Sequence, residues 1–281
     1  PETSGIWRGS GRRPDVPPYK EKKMPNASTS FFGWVAFLLQ KYGMLFLRGT
    51  GMTLLIALTG TALGFALGLL VAIIRTIALP EKKKAGSNAG VIVKRGLLRF
   101  VHMLMNVYIQ VFRGTPMIVQ AVVIYYGAQY AGVFMDTTFA AVFIISINTG
   151  AYMAEIIRGG IVSVDKGQFE AAHAIGMTHW QTMTTVVLPQ AIRNILPSVG
   201  NELIVNIKDS SVLNVISVSE LFFQAKSAAG TYYRYFEVYF IIAVIYLILT
   251  LTVSRILRAV EKKMDGPDNY VIHGSQSDSR A

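Results

Sequence analysis

Four long stretches of this sequence carry no charged side chain at all: residues 49–74, 114–135, 137–154 and 238–254. A helix that crosses the hydrocarbon core of a bilayer needs roughly 20 mostly apolar residues. These runs meet that need, so the chain reads as a polytopic membrane protein. Composition agrees, since charged residues make up only 15% of the chain, against about 25% in an ordinary soluble domain.

The net charge of +11 raises the possibility of nucleic-acid binding. However, the basic residues gather at the ends of apolar runs, where membrane topology places them, and form no patch with interleaved aromatics. There is no cysteine, which excludes disulfides and cysteine-ligated metal. Four scattered histidines supply no metal site either.

The charge pattern predicts the course of the chain. Residues 1–30 read as a disordered tail, without the continuous apolar core of a signal peptide. Residues 31–47 are apolar but interrupted by Gln40 and Lys41. They predict an interfacial or lead-in helix, with a partial extra span as the alternative. The membrane unit at 48–263 holds spans at about 50–74, 99–130, 138–157, 190–212 and 237–254, and a cytoplasmic tail follows at 264–281. Between the first two spans lie seven Lys/Arg: Arg75, Lys82, Lys83, Lys84, Lys94, Arg95 and Arg99. Such a loop is cytoplasmic, which puts the amino terminus outside and the carboxyl terminus inside. Six Lys/Arg before Met24 oppose that orientation, but the rule weights short flanks. No internal repeat points to an inverted-repeat transporter.

Residues 159–189 are a polar insert between two spans. FEAAHAIGM favours helix, Gly176 breaks it, and Thr178 is placed to cap a second helix. Pro189 suits the first turn of the helix that follows.

The spacing Glu170-Ala171-Ala172, then Gly176, Val186, Leu188 and Pro189, resembles the signature loop of ABC importer permeases. Val186 stands where that family commonly has Ile. RGTGMTLLIAL (48–58), FRGTPMIVQ (112–120), AYMAEIIRGGI (151–161) and KGQFEAA (166–172) are similar to the polar amino acid uptake branch. The resemblance covers roughly residues 48–263. It implies an all-α, five-helix type I ABC importer transmembrane domain in the bacterial cytoplasmic membrane, with the insert acting as a coupling helix for a separate ATPase dimer. It further implies a second permease subunit, an extracytoplasmic solute-binding protein and an amino acid as solute. ATP and magnesium would belong to the ATPase, because this chain lacks a Gly-Lys-Ser/Thr phosphate loop. A secondary transporter working without an ATPase is the alternative, and a membrane-embedded enzyme a third reading that no catalytic constellation supports.

Ionisable residues inside a span mark function. Asn206, Lys208, Asp209 and Ser210 are therefore candidates for the solute pathway, with Lys208 meeting a carboxylate and Asp209 an ammonium. Arg113, in the FRGTP break, is expected as an anchor or inner gate at the cytoplasmic end of its span, with contact to a solute carboxylate as the alternative. Glu155 and Arg158, at i and i+3, are expected to pair structurally.

Overall fold

A computed structural model describes residues 29–77 and 89–265. The tail predicted at 1–30 (all but its last two residues), Lys82, Lys83 and Lys84 of the basic loop, and nearly all of the tail at 264–281 lie outside the described residues. The described chain is built of helices: α1 (Phe31–Thr76), α2 (Ala89–Gly114), α3 (Met117–Tyr130), α4 (Thr137–Val162), α5 (Lys166–Ala174), α6 (His179–Gln181), α7 (Leu188–Asp209), α8 (Leu221–Tyr232) and α9 (Tyr235–Asp265). A π-helical turn, Thr182–Val187, joins α6 to α7, and a 3₁₀ segment, Ser210–Ile216, follows α7.

The lead-in stretch at 31–47 and the first predicted span are one continuous helix. Nothing in 31–50 breaks it: Gln40 and Lys41 turn outward, and Lys41 donates to the Tyr232 hydroxyl. At 46 residues α1 is about 69 Å long, more than twice the hydrocarbon thickness. Its first half packs on α8 and α9 through Leu38, Phe46, Leu221, Ala225 and Ile242. Its second half packs on α4.

That second contact is set by small residues. A Cβ at Gly60 would lie 2.5 Å from Ile145, at Gly64 2.7 Å from Thr149, and at Gly68 2.4 Å from Met153. Glycine at every fourth position lets two membrane helices approach backbone to backbone. The constant offset also shows that α1 and α4 run parallel. Asp136 starts α4 as its N-cap, accepting from Thr138 N and Phe139 N at 2.8 and 3.1 Å. Those amides, Phe139 first, hold its carboxyl below the usual range.

α2 and α7 run the other way beside α4. Tyr108 of α2 donates to Ile147 O at 2.6 Å, and Thr149 of α4 bonds Asn206 of α7. The predicted second span is a bent pair, α2 and α3, meeting at 115°. Pro116 leads α3, and Gln120 holds the break. Its Nε2 donates to Phe112 O at 3.0 Å and Thr115 O at 2.9 Å, while its Oε1 accepts from Asn148 Nδ2 at 2.8 Å. Carbonyls freed by the bend thus gain partners, as any buried backbone must.

Among the described residues α1, α4 and α9 are long and apolar enough to cross a membrane, and the bent pair is a fourth candidate. At 22 residues α7 has the length, about 33 Å, but one of its faces is polar.

Candidate functional site: the cytoplasmic turn and the polar groove

The polar insert folds as a helical hairpin. α5 is capped at its start by Asp165, whose carboxylate accepts from Gly167 N at 2.6 Å. It ends in a Schellman turn: Met177 N donates to Ala172 O and Gly176 N to His173 O, both at 3.0 Å. Gly176 sits at φ +83°, where a side chain is strained although a Cβ would meet only open space. Thr178 then opens α6 with a reciprocal capping box, since Gln181 N donates to Thr178 Oγ1 and Thr178 N to Gln181 Oε1.

The two alanines of the signature divide. Ala172 is buried and Ala171 is exposed. Val164, Val187 and Ala191, with Phe169 and Met183 against them, form a small core that fixes the hairpin to the end of α4. Glu170, Ala171 and Gly176 remain on the open side, beside Ile175 at 78% exposure and Trp180 at 75%. Two large apolar side chains exposed on an otherwise polar turn make a candidate contact surface. Leu188 and Pro189 lie in the first turn of α7, where Pro189 removes no needed donor. Val186 O accepts from Gln190 Nε2 at 2.9 Å.

Deeper in the fold, the structure separates the four predicted pathway residues. Asn206 is buried and fully used: its Nδ2 donates to Thr61 Oγ1 at 2.8 Å and Thr149 Oγ1 at 3.0 Å. It ties α1, α4 and α7 together and has no free group for a solute. Ser210 is also buried, donating to Ile207 O at 2.9 Å. Lys208 and Asp209 form no ion pair and diverge, because neighbours on a helix point about 100° apart. Lys208 opens on a cavity of about 310 Å³ lined by Ser211, Phe222, Tyr239, Ile242, Ala243 and Tyr246. Asp209 lies within charge range of both Lys208 and Glu202.

Arg113 sits near the end of α2 that lies away from the basic loop, 24 positions after Ala89. Its guanidinium lies 5.4 Å from the Tyr152 ring centre on α4 and within charge range of Glu202. Glu202 lines a second cavity of about 430 Å³ with Ile156, Pro197, Ser198 and Asn201. The structure therefore assembles Arg113, Tyr152, Glu202 and Asp209 from three helices. Glu202 and Asp209, at i and i+7, share a face of α7, which spacing alone could have revealed. Tyr152 gave no sequence signal beyond its place in AYMAEIIRGGI.

Near the cytoplasmic side, Glu155 pairs with both Arg75 and Arg158, the latter at 2.8 Å. The expected i, i+3 pair is present, and it also fastens the end of α1.

Residues 86–266 match the family described as the binding-protein-dependent transport system inner membrane component. The chain belongs to this family. It is a multi-pass membrane permease subunit, and membership sets aside the secondary-transporter reading. The glutamine transport system permease protein GlnP of Escherichia coli (strain K12) is 40% identical over 222 residues, covering 78% of this chain and 93% of that protein. The arginine transport system permease protein ArtQ of Bacillus subtilis (strain 168) is 41% identical over 162 residues, 57% of this chain and 74% of that one. Among solved structures, an amino acid ABC transporter crystallised with histidines is 38% identical, with a TM-score of 0.72 over 84% of this chain and 99% of that one. The MetNI methionine ABC transporter, 20% identical with a TM-score of 0.60 over 80% of this chain and 98% of that one, shares the fold.

Proposed function

We propose that this chain carries polar amino acids inward, driven by ATP hydrolysis in a separate ATPase dimer that docks on the hairpin at Glu170, Ala171, Ile175 and Trp180. The observation that carries this reading is the cluster of Arg113, Glu202 and Asp209, with Tyr152 stacked on the arginine. A free amino acid offers one carboxylate and one ammonium at fixed separation. Arg113 suits the carboxylate with its planar fork. Glu202 and Asp209 suit the ammonium, and the Tyr152 face flanks the arginine. Charged groups at this depth are costly without partners, and a bound zwitterion supplies both signs. Relatives named for glutamine and arginine transport support the solute class.

The same reading places the amino terminus outside and the carboxyl terminus in the cytoplasm. A second permease subunit and a solute-binding protein complete the importer. ATP and magnesium stay with the ATPase, and this chain does no chemistry. The test is amino-acid uptake by the complex purified with its co-expressed ATPase, reconstituted in vesicles and supplied with its solute-binding protein. ATP-dependent uptake of at least one polar amino acid is expected. A complex that hydrolyses ATP but accumulates none of the twenty would refute the proposal.

A further inference from the structure

Two helices of the bundle, α2 and α7, are amphipathic where their neighbours are apolar. Read at the helical period, one face of α2 carries Arg95, Arg99, Asn106, Gln110 and Arg113. Each is at least partly exposed, and all but Arg95 fully so. Another face carries Val93, Leu97, Phe100, Leu104, Val107 and Val111, which are exposed and apolar and suit lipid. On α7 the polar face carries Asn194, Ser198, Asn201, Glu202 and Asp209. Between them α4 presents Asn148, Tyr152 and Glu155, at i, i+4 and i+7.

α2 and α7 each pack on α4 but not closely on one another. A groove therefore runs between them with α4 as its floor. The contacts set its levels. Phe112 lies beside Asn148, Asn206 beside Thr149, and Asn194 beside Ser163. Arg113 and Asp209 consequently stand near the same height, with Glu202 about one and a half to two turns nearer the cytoplasm. Glu155 follows, and Arg99 and Asn194 lie beyond it.

We infer that this groove is the route from the solute cluster to the cytoplasm, and that its walls hold the amino acid in one orientation throughout. The inference rests on the amino-acid reading above. The α2 wall is cationic at both ends: Arg113 at the cluster, Arg99 and Arg95 toward the mouth. The facing α7 wall is acidic, with Asp209 and Glu202, whereas Glu155 on the floor is already paired with Arg75 and Arg158. A zwitterion descending the groove keeps its carboxylate toward α2 and its ammonium toward α7. At the mouth, Glu155 is held by Arg75 and by Arg158, whose side chain is half exposed. An arriving ammonium takes the place of Arg158 there.

Single cysteines test this cleanly because the chain has none. They are placed at Asn106 and Gln110 on the α2 wall, at Ser198 and Asn201 on the α7 wall, and at Leu104 and Val107 on the lipid face. The whole complex is assayed for uptake in right-side-out vesicles and, in parallel, labelled in inside-out vesicles with impermeant anionic and cationic methanethiosulfonates. Groove cysteines should react at least tenfold faster than those at 104 and 107, and saturating amino acid should slow them severalfold. Referenced to a free thiol, the anionic reagent should be favoured on α2 and the cationic reagent on α7. The two walls report independently, so loss of one variant leaves the other decisive. Equal reactivity of the lipid and groove faces, or no protection by a solute that the wild type transports, overturns the route. The same charge preference on both walls overturns the orientation. A wild-type complex with no amino-acid uptake would instead overturn the functional reading on which the inference stands.

Discussion

The two sides of α4 are built on opposite plans. Toward α1 it meets three glycines so closely that no Cβ fits between the helices. Toward α2 and α7 it carries Asn148, Tyr152 and Glu155, half-buried and met by Gln120, Arg113, Arg75 and Arg158. The first side is a fixed wall, where packing leaves no room to slide. The second is polar and only half-buried. A permease needs both: a scaffold that does not yield, and a passage that a solute can enter.

Breaking the closed side should have the largest effect. Gly64→Leu and Gly68→Leu each force α1 from α4, at about 1–3 kcal/mol by the cost of overpacking. The double variant is expected to lose folded complex altogether, measured as monodisperse material in detergent and as thermal stability. Gly43→Leu, at a glycine where a Cβ meets nothing, should leave both unchanged.

The coupling hairpin is next. Gly176→Val puts a β-branched residue at φ +83°, a conformation such residues avoid. ATP-driven uptake should fall at least tenfold while the protein still assembles in the membrane. Glu170→Lys and Trp180→Ala alter the exposed contact side instead, and should weaken co-purification of the ATPase in pull-down. Full retention of ATPase by both would remove this surface from the interface.

A smaller effect is expected at Asn206. Asn206→Ala leaves Thr61 and Thr149 without their shared partner, costing about 1–3 kcal/mol for buried groups left unpaired. Thermal stability should drop while the half-saturation concentration for uptake stays at its wild-type value. A shifted half-saturation with unchanged stability would return Asn206 to the solute pathway.

The contrast between the two sides also explains what was legible in the sequence. The signature hairpin was readable almost residue by residue, because Thr178 and Gly176 act through local backbone geometry. Charge-free runs likewise announced the apolar helices. The charged cluster was only half visible. Lys208 and Asp209 are adjacent in sequence and were expected to meet one solute together, but a helix sends adjacent residues to different sides. The place of Arg113 was hard to read because its span was taken to start near residue 99, whereas α2 begins at Ala89. The bend at 115° and the partner role of Gln120 depend on long-range contacts that no local pattern encodes.

The central claim is that amino acids pass on the open side of α4, at Arg113. The direct measurement is the half-saturation concentration of ATP-driven uptake for Arg113→Gln beside Lys208→Met, in reconstituted complexes of matched assembly. Losing a charge-assisted contact to the carboxylate costs about 1.5–3 kcal/mol, so Arg113→Gln should raise half-saturation roughly ten- to hundredfold, while Lys208→Met should leave it nearly unchanged. An unchanged value for Arg113→Gln with a large rise for Lys208→Met would contradict the account and move the solute to the cavity between the 3₁₀ segment, α8 and α9.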